Sequence, residues 1–121
     1  MKSYPNVEDV LCDLLDPLAP TITWRDPDRP LPYIFVRRIG GREDGITDRP
    51  AVRVEVTADN YELARDLMGS VRSTILSCGC TNVNGVAVDT ANEVTAAQQT
   101  PAYNPEDNNV TSTFVLSFRK Q

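Results

Sequence analysis

One stretch, Leu31 to Ile75, constrains the fold more than any other. Tyr33-Ile34-Phe35-Val36-Arg37-Arg38-Ile39 is a β-branched and aromatic run, opened by Pro30-Leu31-Pro32 and closed by Gly40-Gly41, which predicts a strand. The charged segment Gly41 to Pro50 is short enough to join neighbouring strands as a hairpin loop. Val52, Val54 and Val56 then alternate with Arg53, Glu55 and Thr57, the period of a half-buried strand. Directly afterwards the period changes: Tyr61, Ala64, Met68, Val71 and Ile75 fall three or four apart, on one face of a helix. Asp59 or Asn60 starts that helix, Asp59 and Glu62 having capping-box spacing, and Gly79 is the expected left-handed stop.

Around this centre the remaining elements fall into place. Val7, Val10, Leu11, Leu14 and Leu15 form the apolar stripe of a short first helix. Glu8, Asp9, Asp13 and Asp16 occupy its other face, and Pro17 and Pro20 end it. Thr21 to Trp24 predicts a short strand, and Trp24, the only tryptophan, is assigned to the core. Val83 to Val88 reads as a strand weakened by Gly85, and Phe114, Leu116 and Phe118 mark the inward face of the last strand. Between them, Asp89 to Asn109 carries Pro101, Pro105 and scattered Asn, Gln and Thr, and is expected to be a long irregular loop. The chain is therefore expected to form one α+β domain over residues 1–121. Its order is helix-β-β-β-helix-β-β, with a mainly antiparallel sheet of four to five strands and two helices on one face. The expected core is Ile34 or Phe35, Val54, Val56, Leu67, Met68, Val71, Phe114 and Leu116. The other sheet face, with Arg37 or Arg38, Arg53 and Glu55, is either solvated or a subunit interface.

The 121 residues are 40% apolar and 24% charged, ordinary globular composition. No apolar run approaches the roughly 18 residues of a membrane span, and no signal peptide is visible at the N-terminus. A net charge of −5 disfavours sequence-specific nucleic-acid binding. All but Lys2 and Lys120 of the twelve basic residues are arginine, which fits either carboxylate pairing across interfaces or codon bias.

Catalysis by a histidine base is excluded, since the chain has none. There is no phosphate-binding glycine loop and no nucleophile elbow. Cys12, Cys78 and Cys80 make neither a disulfide framework nor a zinc site, and are expected as buried or half-buried free thiols. Asp44 and Asp48 share a loop, but Arg42 and Arg49 flank them, and ion pairing accounts for the cluster more simply than a metal does. No cofactor, metal or active site is expected.

The motifs Leu31-Pro32-Tyr33-Ile34-Phe35-Val36, Gly40-Gly41 and Thr47-Asp48-Arg49-Pro50 are followed by the alternating valine strand and a helix with Ala64 and Val71-Arg72. Together they resemble the tail terminator (tail completion) proteins of long-tailed bacteriophages, over roughly Pro5 to Arg119. The resemblance implies a structural virion protein, assembled in host cytoplasm, that caps the tail tube and forms the head–tail joining surface. Its partners would be further copies of itself in a hexameric ring, the major tail (tube) protein and a head-completion or connector protein. On that reading Arg42, Glu43, Asp44, Asp48, Arg49, Arg53 and Glu55 are candidates for the subunit interface. Val94, Gln98, Gln99 and Tyr103 are candidates for contact with the tube or connector. The alternatives are a small-ligand-binding α+β module, with its pocket between sheet and second helix, and a metal enzyme built on Asp44 and Asp48.

Overall fold

A computed structural model describes residues 3–26, 28–102, 104 and 106–121. Helix α1 (Val7–Leu15) is capped by Asn6, whose side chain accepts the Glu8 amide, and it buries Val7, Val10, Leu11 and Leu15. Strand β1 is only Thr21–Ile22. The long strands β2 (Tyr33–Glu43) and β3 (Thr47–Ala58) follow, then helix α2 (Tyr61–Ser77). A small hairpin, β4 (Thr81–Val83) and β5 (Val86–Val88), leads into β6 (Thr90–Thr100) and β7 (Asn108–Arg119). The main sheet has the order β1-β2-β3-β7-β6, antiparallel except for the β1–β2 pairing. This is the expected α+β architecture, with both helices packed on one face.

The core lies between that face and the helices. Ile34, Val36, Val52, Val54, Val56, Phe114, Leu116 and Phe118 point from the sheet into the same cluster as Val7, Leu11, Leu15, Ala64, Met68, Val71 and Ile75. Phe35 turns to the opposite face, where it packs with Ile22 and Tyr33 in a second, smaller cluster. Leu67, expected inside, is only partly buried at the rim of the main cluster.

Several local expectations are corrected. Gly40 and Gly41 do not end β2. A bulge between Arg38 and Gly40 carries the strand on to Glu43, so the expected ten-residue loop shrinks to residues 44–46. Gly40 and Gly41 take φ of +138° and +111°, and a Cβ on Gly41 would lie 2.2 Å from the Arg49 carbonyl oxygen. Val83 to Val88 is not one strand but a tight hairpin turned by Asn84 and Gly85, at φ of 48° and 85°. The left-handed residue after α2 is Cys80, not Gly79. Asp89 to Asn109 is not an irregular loop. Most of it is the edge strand β6, hydrogen-bonded to β7 through two register shifts, which leaves, among the described residues, Asp89 and 101, 102, 104, 106 and 107 outside the strands. Trp24 is outside the core and 57% exposed, because β1 stops before it. Cys78 is buried and Cys12 half-buried, but Cys80 is exposed.

Candidate functional site

The β2–β3 hairpin holds most of the charged residues singled out above, and the ladder register sorts them onto two faces. Arg38 and Asp48 belong to the helix-covered side. The Arg38 guanidinium donates two hydrogen bonds of 2.9 Å to the two Asp48 carboxylate oxygens, a bidentate fork. Asp48 is 3% exposed. These hydrogen bonds raise the Arg38 pKa above its ordinary value. The Arg38 amide, on the outer edge of β2, donates to a Glu8 carboxylate oxygen. A side chain of α1 thereby occupies an edge that β1 is too short to cover.

The hairpin tip is tied down by Asp44. Its carboxylate accepts the Thr47 and Ile46 amides at 2.8 and 3.0 Å and the Arg49 guanidinium at 3.1 Å. Those backbone hydrogen bonds, and then Arg49, pull the Asp44 pKa down to about 2. Held at the apex by this network, Ile46 is 72% exposed.

The open face of the sheet carries a different pattern. Arg37 stands opposite Arg53, and Arg42 opposite Arg49, so the hairpin presents two cross-strand arginine pairs on one face. Glu55 lies on this face too, but it is buried and ion-paired to Arg25, which also stacks over the Phe35 ring at 4.0 Å. Asn109 is the hub of a neighbouring polar cluster. Its carbonyl oxygen accepts the Thr57 hydroxyl at 2.9 Å, and its amide donates to the Thr100 hydroxyl at 2.9 Å. Arg53, Glu55, Gln98, Thr111 and Thr113 line a polar concavity of about 440 Å³ between β3, β7 and β6.

The expected interface residues therefore divide. Arg42, Glu43, Arg49 and Arg53 are exposed, whereas Asp48 and Glu55 are buried with partners inside the chain and Asp44 organises the turn. Of the second expected group, Val94, Gln98 and Gln99 are exposed along the edge strand β6, and Tyr103 lies outside the described residues. Of the two arginines offered for the open face, Arg37 lies there, opposite Arg53, and Arg38 is instead on the helix-covered side with Asp48. Sequence reasoning missed Arg25 and Asn109, whose roles depend on cross-strand register. It also missed Ile46, whose signal was an isoleucine set among turn-forming Asp44, Gly45 and Thr47. The space between the sheet and α2, where a small-ligand pocket was one alternative, is packed by Val54, Met68, Val71 and Phe114. Among the described residues, no three Cys, Asp or Glu side chains converge as metal ligands.

The geometry alone leaves the role of the arginine-bearing sheet face open, and comparison with known families supplies the protein's class. The model of the phage tail termination proteins matches residues 3–121. The chain belongs to that family. It is thus a structural protein of the bacteriophage tail. Among solved structures, a chain from the virion of a native gene transfer agent particle shares its fold with a TM-score of 0.62 at 10% identity, covering 88% of this chain and 84% of that one. No curated protein matches the sequence.

Proposed function

We propose that this phage tail termination protein caps the tail tube, stops its polymerisation and offers the surface on which the head docks. It works as a single domain without catalytic chemistry, at the tail–head junction, and it closes on itself as a six-membered ring. The observation that carries this reading, beyond family membership, is the split between a helix-covered face and an open face with exposed Arg37, Arg42, Arg49 and Arg53. Arg42, Glu43, Arg49 and Arg53 are the subunit contacts, while Asp44, Asp48 and Glu55 hold the hairpin and sheet in the shape that presents them.

The partners at the two ends of the ring are the tube protein and a head-completion protein. The outer strand β6 suits the tube or connector. Val94 is 61% exposed, and Val94 to Thr100 contains no charge, so its free edge is open to a neighbouring chain. Tail assembly tests the proposal. Lysates lacking this protein should hold tubes of uncontrolled length that fail to join heads, and adding the purified protein should restore defined, joinable tails. Tails of normal length without the protein would refute the capping role.

A further inference from the structure

The charges of this chain are segregated in a way the isolated fold does not use. The net charge is −5, yet the open face of the β2–β3 hairpin carries Arg37 beside Arg53 and Arg42 beside Arg49. Like charges directly opposite in a ladder destabilise it. Only Arg49 has a carboxylate, that of Asp44; among the described residues none lies within ion-pairing distance of Arg37, Arg42 or Arg53.

The complement sits on another part of the molecule. Helix α1 exposes Asp9 and Asp13, with Asp16 at its end, and contains no basic residue. Asp13 also forms the lip of a shallow cleft between α1, α2 and β4, with Leu14, Cys78 and Val83 on its walls. Beside the arginines, the hairpin apex holds Ile46 out into solvent. One surface thus offers arginines and an apolar knob, and the other offers carboxylates and a partly apolar cleft.

We infer that the arginine face of the hairpin of one copy docks on the acidic face of α1 of the next, with Ile46 seated against the cleft beside Leu14. The contact is head-to-tail, because the two halves are different surfaces, and such contacts generate rings when the rotation closes. Arginine supplies paired donors to carboxylates, and complementary charge fixes orientation. This inference rests on the ring reading proposed above and assigns its contact.

Mixing charge-reversed chains tests it. R42E/R53E destroys the hairpin half and D9R/D13R the helix half. All four positions are exposed, and circular dichroism checks that each variant is folded. Wild-type chain should oligomerise with a strong dependence on salt, and each double variant alone should be monomeric, its self-association weakened at least about thirtyfold. An equimolar mixture should assemble beyond a dimer with the two chains alternating, since the unaltered hairpin of D9R/D13R meets the unaltered helix of R42E/R53E at one junction and the two reversed surfaces meet at the next. The chain carrying all four changes should assemble again. Assembly of R42E/R53E at wild-type strength overturns the inference, as does a folded four-fold variant that stays monomeric. Tight binding of a DNA oligomer that R42E/R53E abolishes overturns it in favour of a nucleic-acid face. A wild-type chain that is monomeric at every concentration and present as one copy per tail overturns the ring reading itself, and the inference with it.

Discussion

Removing Arg38 should destabilise the protein far more than removing its partner Asp48. The pair is geometrically reciprocal, with two hydrogen bonds of 2.9 Å, but its burial is not. The Asp48 side chain is 5% accessible and the Arg38 side chain 38%. In Arg38→Ala the Asp48 carboxylate remains buried without the two guanidinium donors, its side-chain donors among the described residues, and breaking a buried pair in this way costs about 3–5 kcal/mol. In Asp48→Ala the Arg38 guanidinium swings into water, so the loss is that of a half-exposed pair, about 1–2 kcal/mol. Replacing both with apolar residues of similar volume, as Arg38→Met with Asp48→Leu, should bring stability back to within about 1 kcal/mol of wild type. Urea unfolding followed by circular dichroism reads these differences. With a slope of about 2 kcal/mol/M, Arg38→Ala should lower the midpoint by roughly 2 M and Asp48→Ala by under 1 M. Equal midpoints for the two single variants, or a larger fall for Asp48→Ala, would refute the claim that asymmetric burial governs the pair.

Three further outcomes are expected. Phe114→Ala, at a fully buried site on β7, should cost about 3–5 kcal/mol in the same urea experiment, whereas Leu67→Ala at the rim of the core should cost under about 2. Gly41→Ala should cost about 1–3 kcal/mol and more than Gly40→Ala, because both have positive φ but only Gly41 meets a neighbouring backbone, and thermal melts of the two variants would show the order. The Asp44 carboxyl should titrate near pH 2 by NMR. Its folded pKa lies below the unfolded one, so its support of the hairpin tip is complete above the ordinary carboxylate range and is lost as pH falls through about 2; a normal Asp44 titration near 4 would remove the amide network from the account.

What the sequence made legible were the elements with a strong period. The valine alternation in β3 and the three-and-four spacing in α2 each report a buried face, and both elements lie where the pattern places them. Elements that bury little leave no such trace. Strand β6 is exposed along nearly its whole length and is held by hydrogen bonds to β7, so its Thr, Ala, Asn and Gln residues read as a loop. Trp24 misled for the opposite reason: its hydrophobicity is plain in the sequence, but whether anything covers it depends on where β1 stops. The Asn84-Gly85 turn reads in the sequence as a weak point inside a strand, although that dipeptide favours the backbone a two-residue hairpin needs.

The candidate interface shows why site residues are harder to read than folds. Arg37, Arg38, Arg42, Arg49 and Arg53 look alike in the sequence, and only register separates them. Arg38 faces the helices and is bound to Asp48, while its neighbour Arg37 faces the open side with no carboxylate in ion-pairing distance among the described residues. The bulge after Arg38 adds one residue to β2 and so determines which way Arg42 and Glu43 point. In a regular ladder each residue reverses the face of the one before, so that single extra residue is what turns Arg42 toward the open face beside Arg49. Gly40 and Gly41, read from the sequence as the end of a strand, are thus what allows the strand to continue with its charges re-aimed. Arg42 joins Arg37, Arg49 and Arg53 through backbone geometry at two glycines, and the proposed partner of that face is the set of carboxylates that α1 exposes elsewhere on the same chain.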